Sequence, residues 1–384
     1  MEATLVIPTY NSRRSLEACL LSLNHQRDPE SFEVVVSDDG STDGTDELVA
    51  KLDLKYELRY VFRSRTTSSS RAAARNAGVA LARGEVIVMT DGDHVLAPDF
   101  VAEHLRCHRV RPDLVVLGHR NYLGPGTANL EALRGGFALS ALPPVVERDE
   151  REVVMAALSY NMNNLSSAWH LLYTCNTSVR REHLLAVGGF DESFIRWGFE
   201  DNELGYRLRA HGLTFIHNPY SVAYHQHHPV DRDQQFEDWR HNLAHFVGLH
   251  PVPEVALQWG LCVGRYITVR DRELNWLETY LRFEYGVRAI HGRRPPKSPY
   301  TLITVTPDNL ATAAGEVAKL ASAGPVLVVD HTPDRELPVQ VQTTDYSEEL
   351  LYFKQPDAET HASVLDRFVR GDQPAPGVAG FTYR

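Results

Sequence analysis

Cysteine is scarce in this 384-residue chain: Cys19, Cys107, Cys175 and Cys262 lie far apart and in no paired spacing. That excludes a disulfide-stapled scaffold and fits buried thiols in a reducing compartment. Basic residues are outnumbered, 39 Lys and Arg against 50 Asp and Glu, which leaves a net charge of -11. So acidic a chain lacks an overall electrostatic hold on nucleic acid or anionic lipid, and no nucleic-acid partner is expected. Long apolar runs are missing too, with nothing approaching the ~20 residues of a membrane helix. Met1-Glu2-Ala3 leads straight into a strand, without the basic start and apolar stretch of a secretion signal. A cytoplasmic protein without a transmembrane segment is therefore expected. The first strand-helix turn, Pro8-Thr9-Tyr10-Asn11, lacks a dinucleotide glycine fingerprint, which argues against a dehydrogenase.

What is present is a 43% hydrophobic content, enough for a real core, and an alternation of strand and helix patterns. Residues 4–7 form a short apolar run that stops at Pro8, and Asn11 or Ser12 can cap a helix with Leu16, Cys19, Leu20 and Leu23 on one face. Residues 32–36, 60–62 and 85–89 read as further strands, and the Ala-rich stretch 72–82 as a helix ended near Gly84. Such spacing implies a parallel sheet with right-handed crossovers, whose ligands gather beyond the carboxyl ends of the strands. From 115 to 173 the pattern loosens around Gly124-Pro125-Gly126, Gly135-Gly136 and Pro143-Pro144, with a helix near 149–158; it reads as an acceptor wall or lid. Helical patterns follow at 233–247 and 271–285, then a proline-rich linker at 293–299. Strand, helix and strand at 300–306, 308–321 and 325–330 suggest a separable α/β appendage over 300–384.

Short acidic motifs stand in order at the strand ends. Asp38-Asp39-Gly40-Ser41 suits either a nucleotide base or an ordinary turn. Asp91-Gly92-Asp93 places two carboxylates where a divalent ion could bridge phosphates, although it too can be a turn. Trp197-Gly198-Phe199 then precedes Glu200 and Asp201 in the first turn of a helix, where the helix dipole favours ionised carboxylates and so an acceptor for a hydroxyl proton. Simple capping would explain one acid but not the aromatic turn. Among many histidines, a zinc site lacks the usual spacing, and a single imidazole from Ala223-Tyr224-His225-Gln226 completing the Asp93 site is favoured; the rest read as ordinary polar contacts.

Residues 4 to about 230 resemble family 2 glycosyltransferases of the GT-A fold. The run from Gly189-Phe190-Asp191 through Trp197-Gly198-Phe199-Glu200-Asp201-Asn202-Glu203-Leu204-Gly205-Tyr206-Arg207 is similar to the galactosyltransferase-type C-terminal half of bacterial chondroitin polymerases and polypeptide GalNAc transferases. The resemblance implies a catalytic domain over 1–230 with a helical extension over 231–292. It implies Pro8, Thr9, Tyr10 and Asp39 at the base and ribose, Arg71 or Arg75 near the nucleotide, and Asp91 at the ribose or phosphate. By it, Asp93 and His225 would bind Mn²⁺ or Mg²⁺, Asp201 would be the base, Glu200 would bind a sugar, and Trp197 and Gly198 would face acceptor or donor sugar. The expected function is an inverting transfer from a nucleotide-sugar donor, a UDP-sugar first, to a saccharide. A peptide or small natural product is the alternative acceptor, and a non-catalytic sugar-nucleotide binder the alternative of another class. With one acidic series and not two, an alternating polymerase is not expected.

Overall fold

A computed structural model of the chain describes residues 1–27, 32–157, 162, 165–263, 276–292, 300–345 and 350–354. The expected linker at 293–299 and the start of the second helical pattern, 271–275, lie outside the described residues. The order is β1 (Ala3–Thr9), α1 (Arg13–Leu23), β2 (Phe32–Asp38), α2 (Thr45–Lys51), β3 (Glu57–Phe62), α3 (Arg71–Leu81), β4 (Val86–Thr90), β5 (His94–Leu96), α4 (Phe100–Val110), β6 (Leu114–Leu123), α5 (Leu130–Gly135), β7 (Val145–Arg148) and α6 (Glu150–Ala157). Then come β8 (Asn176–Arg180), α7 (Arg181–Ala186), α8 (Glu200–Ala210), β9 (Thr214–His225), α9 (Arg232–Leu249), α10 (Pro253–Ala256), α11 (Trp276–Ile290), β10 (Thr301–Val305), α12 (Leu310–Ala321), β11 (Val326–Asp330), α13 (Leu337–Gln342) and β12 (Leu350–Lys354).

The main sheet runs β3-β2-β1-β4-β8-β6-β9-β5, with β7 paired to β6. Only β5, β7 and β8 run against the other strands, so the sheet is mostly parallel, as expected. Strands β2 and β4 are buried along their whole length, which is why they read as largely apolar runs, with Glu33 a buried exception in β2. The stretch expected to be irregular instead opens with the ten-residue strand β6, paired to β8 and β9. Its second half, His119-Arg120-Asn121-Tyr122, is polar because it borders a cavity, and that masked the strand.

The appendage has its own three-stranded parallel sheet, β10-β11-β12, and its own core of Ile303, Val305, Ala313, Val317, Val328 and Val341. It is not loosely tethered. Val339 on α13 packs with Cys107, Leu114, Val116 and Ile216. Arg335 donates to the buried Glu103 carboxylate at 2.7 Å, and the Gln342 amide both donates to and accepts from the His217 backbone at 3.1 and 3.0 Å. The appendage thus packs on α4, β6 and β9 of the main body.

Candidate functional site

The ends of β1, β2 and β4 set one edge of the site. The Asp38 carboxylate is spent on its turn, accepting from the Ser41 backbone N–H at 2.7 Å and the Tyr60 hydroxyl at 2.6 Å. Asp39 turns the other way and meets Arg65 at 2.9 Å and Arg63 at 3.5 Å, while Arg65 lies 3.9 Å from the Tyr10 ring centre. Burial raises the Asp39 carboxyl above its usual range despite these arginines. The Thr9 carbonyl accepts from the Asp39 backbone N–H at 3.0 Å, so Thr9, Tyr10 and Asp39 form one corner beside Pro8.

Arg75, on α3, stands among the acids rather than at that corner. Its guanidinium donates to Asp91 at 3.1 Å, Glu200 at 3.2 Å and Asp201 at 3.4 Å, and is only 2% exposed. Burial would raise the Asp91 carboxyl, but Arg75, with His94 and Arg71, outweighs it and holds Asp91 below the usual range. For Glu200 the balance reverses: burial first, then Asp201, push its carboxyl up against Arg75. The helix N-terminus therefore does not keep Glu200 low, as its position in the first turn suggests. Asp201 is fixed by Thr174, whose hydroxyl donates at 2.6 Å and backbone N–H at 3.1 Å. One Glu200 oxygen, Oε2, is buried and has no hydrogen-bond partner among the described residues.

Asp93 follows β4, and His225 ends β9, whose pairing with β5 sets His225 opposite His94. Asp93 Oδ2 lies 3.5 Å from His225 Nε2 and 3.6 Å from His228 Nε2. The three ligand atoms fall within 4.8 Å of one another, and Asp93 Oδ1 is buried without a partner among the described residues. Burial pushes His225 down to about 4 against the pull of Asp93, so near neutral pH its imidazole is the neutral form a metal needs. One carboxylate and two imidazoles with an unspent oxygen fit a divalent cation. His228, read from sequence as an ordinary polar residue, joins the group because three residues past β9 the chain turns back over Asp93.

A cavity of about 590 Å³ is lined by Arg71, Arg75, Asp91, Glu200, Asp201 and His225 together with Trp197, Gly198 and His228, while Pro8, Thr9, Tyr10, Asp39 and Asp93 stand outside its lining. Arg120 and Tyr122 of β6 and Glu150 of α6 form part of its wall. The acids are delivered by a strained turn. Gly198 has φ +91° and Phe199 φ +69°, a left-handed conformation uncommon for a bulky residue. Helix α9 clamps it: Asn242 Nδ2 donates to the Gly198 and Arg196 carbonyls at 2.6 and 3.0 Å, and the Trp239 ring stacks on Trp197 at 5.6 Å. Neither Trp239 nor Asn242 was legible in the sequence as part of the site, because only folding brings α9 back to this turn.

Among the described residues no helix is long and apolar enough to cross a membrane. Residues 4–186 match the family described as glycosyl transferase family 2, and residues 156–229 match one described as the N-terminal domain of galactosyltransferase. The glycosyltransferase YfnE of Bacillus subtilis strain 168, itself uncharacterized, is 31% identical over 277 residues, 64% of this chain and 69% of YfnE. Validoxylamine A glucosyltransferase of Streptomyces hygroscopicus subsp. limoneus is 33% identical over 270 residues, 67% of this chain and 59% of that enzyme. Chondroitin synthase of Escherichia coli is 29% identical over 249 residues, 59% of this chain but only 35% of the synthase. The acidic motifs, the mostly parallel sheet that presents them and these matches agree: the chain belongs to glycosyl transferase family 2.

Proposed function

We propose that this glycosyltransferase inverts the anomeric centre of a nucleotide-sugar donor, a UDP-sugar first, with the help of a divalent cation. One observation carries the reading: a single cavity is lined both by the carboxylates Asp91, Glu200 and Asp201 and by two of the three candidate metal ligands, His225 and His228. Asp201, anchored by Thr174, takes the proton of the acceptor hydroxyl as that oxygen bonds to the anomeric carbon and the carbon–diphosphate oxygen bond breaks. The leaving diphosphate departs with the electron pair, and one base with one displacement gives inversion. Arg75 holds Glu200 and Asp201 in register, and Glu200 offers its unpartnered oxygen to a sugar hydroxyl. Asp93, His225 and His228 would hold the cation, which when bound neutralises the departing diphosphate. Two imidazoles favour Mn²⁺ over Mg²⁺, whose preferred ligands are oxygens. Thr9, Tyr10 and Asp39 would take the base and ribose, and a Trp197 flanked by Trp239 supports a saccharide or small natural-product acceptor over a peptide.

The test is turnover of a panel of UDP- and GDP-sugars, with water as acceptor, in Mn²⁺ and in excess EDTA. Hydrolysis restored by Mn²⁺ after chelation is the expected result. Full activity in EDTA would remove the metal from the mechanism, and hydrolysis of GDP-sugars alone would reassign the donor.

A further inference from the structure

Both family matches end by residue 229, yet the segment that anchors Asp201 is held from beyond that point. Thr174 closes a short run that starts at Ser166 and passes through one helical turn, Ala168–Leu171. Helix α8, which carries Asp201, packs on one side of this run, and the helical extension covers the other. On the α8 side the Asn202 amide donates to the His170 carbonyl at 2.5 Å, next to the two bonds from Thr174 to Asp201. Gly205 permits the close approach, since a Cβ there would stand 2.5 Å from the Trp169 carbonyl oxygen. On the other side the Trp169 ring meets Phe246 of α9 and Phe283 of α11, both at 6.1 Å, and His170 Nδ1 lies 2.8 Å from Gln258 Oε1.

The start of the run is held by Glu284 of α11. This carboxylate, wholly buried, accepts from the consecutive backbone N–H groups of Ser166 and Ser167, each at 2.9 Å, and from the Ser167 hydroxyl. Both N–H groups lie buried just ahead of the helical turn, where an unpaired donor costs free energy and a charged acceptor bonds strongly. Arg288, one turn on, supplies the counter-charge at 2.7 Å, and the Tyr280 hydroxyl lies 2.9 Å from the Ser167 hydroxyl. Such a buried pair adds little net stability over apolar residues of the same volume, but it fixes the geometry of what it touches. We infer that Glu284 is a positioning residue of the transfer: by fixing Ser166 and Ser167 it sets where Thr174 stands and so the aim of Asp201, which makes the helical extension part of the catalytic unit. The inference rests on the reading of Asp201 as the base and adds what aligns it. Glu284 is not in the cavity lining, so it acts through the run and not on substrate.

The experiment uses the full chain with UDP-glucose or UDP-N-acetylglucosamine, Mn²⁺ and water as acceptor, at a temperature where each variant is folded by circular dichroism. Glu284→Gln sets a donor amide against N–H groups. It should lower kcat by ~10-fold or more, since a shift of ~1 Å at a catalytic group costs ~100-fold, while the donor KM holds. Hydrogen exchange at the Thr174 amide, which is bonded to Asp201, should quicken by ~10-fold or more. Added to Thr174→Val, Glu284→Gln should lower kcat by less than it does in the unaltered chain, because the two act on one link. Equal losses in both backgrounds, a parallel rise in donor KM, or a kcat or Thr174 exchange that holds would overturn the inference; a carboxylate that merely stabilises would lower the melting temperature alone. Should Glu284→Gln not fold, Ser167→Ala decides by the same readings, with an expected loss in kcat of ~3-fold, the size of one hydrogen bond. If the unaltered chain turns over no nucleotide sugar, or Asp201→Asn works normally, the transferase or the base reading fails on its own account. Thr174 exchange then decides whether Glu284 holds that residue: quickened exchange supports the link, and unchanged exchange overturns it.

Discussion

Asp201 and His228 are the residues whose geometry makes the sharpest claims. Asp201 accepts two hydrogen bonds from Thr174 and one from Arg75, so an amide in its place keeps the size but loses the proton-accepting oxygen. General base catalysis is worth ~10²–10⁴-fold. Asp201→Asn should therefore lower transfer by at least the smaller figure while UDP binding, read by calorimetry, holds; normal turnover would remove Asp201 from the chemistry. His228 stands 3.6 Å from Asp93 and is the more exposed of the two imidazoles. Its removal should weaken Mn²⁺ binding, followed by the free-ion paramagnetic resonance signal, by ~10-fold or more, a loss of about 1.4 kcal/mol. Unaltered binding would leave the site to Asp93 and His225 alone.

At the scale of elements, the turn from 196 to 199 couples α8 to α9. Gly198 sits in the left-handed region with the Trp239 ring against it. Gly198→Ala should cost ~1–3 kcal/mol from backbone strain alone, with more from the collision. Because the same turn aims Glu200 and Asp201, the loss should appear in kcat as well as in the urea midpoint. A variant with the stability and kcat of the unaltered protein would show that the turn is slack.

For the whole molecule, two consequences follow from burial. The appendage gives Glu103 a counter-ion in Arg335 and covers Leu114, Val116 and Ile216 through Val339. A chain ending at residue 292 should melt ~5 °C or more below the full chain, contrary to the independence expected from a proline-rich linker; an equal melting temperature would restore that independence. His104, His108 and His217 are buried and neutral, pushed down by burial to about 4, about 3 and about 3. Their unfolded-state value is ~6.5, so the unfolded chain takes up protons first as pH falls. Their contribution is full above ~6.5 and is lost as pH falls towards about 4 for His104 and about 3 for His108 and His217, at up to ~1.4 kcal/mol per pH unit for each. Denaturant midpoints at pH 7 and pH 5 check this, and equal midpoints would contradict it. His104 shows the cause: burial lowers it, and the hydrogen bond to Asn176 at 2.9 Å opposes that only in part.

The sequence by itself determined the parallel half of the sheet, because β1, β2 and β4 are largely apolar runs that stop at turns, acidic ones after β2 and β4, and it determined the family, because the motifs stand in a fixed order. Local chemistry also announced Asp91, Asp93, Glu200, Asp201 and His225 as one set, since each closes a strand or opens a helix. Tertiary structure alone decided what meets across the site. Arg75 faces three carboxylates because α3 packs on β1 and β2 beside them, and charge pairs where burial is deepest. His228 reaches Asp93 only through the pairing of β9 with β5. Trp239, 38 residues beyond Asp201 in the chain, comes beside the acid-bearing turn only when α9 folds back over it. Residues that form a strand or helix are fixed by neighbours in sequence and leave a periodic trace. Those that meet across the sheet are fixed by packing, which leaves none.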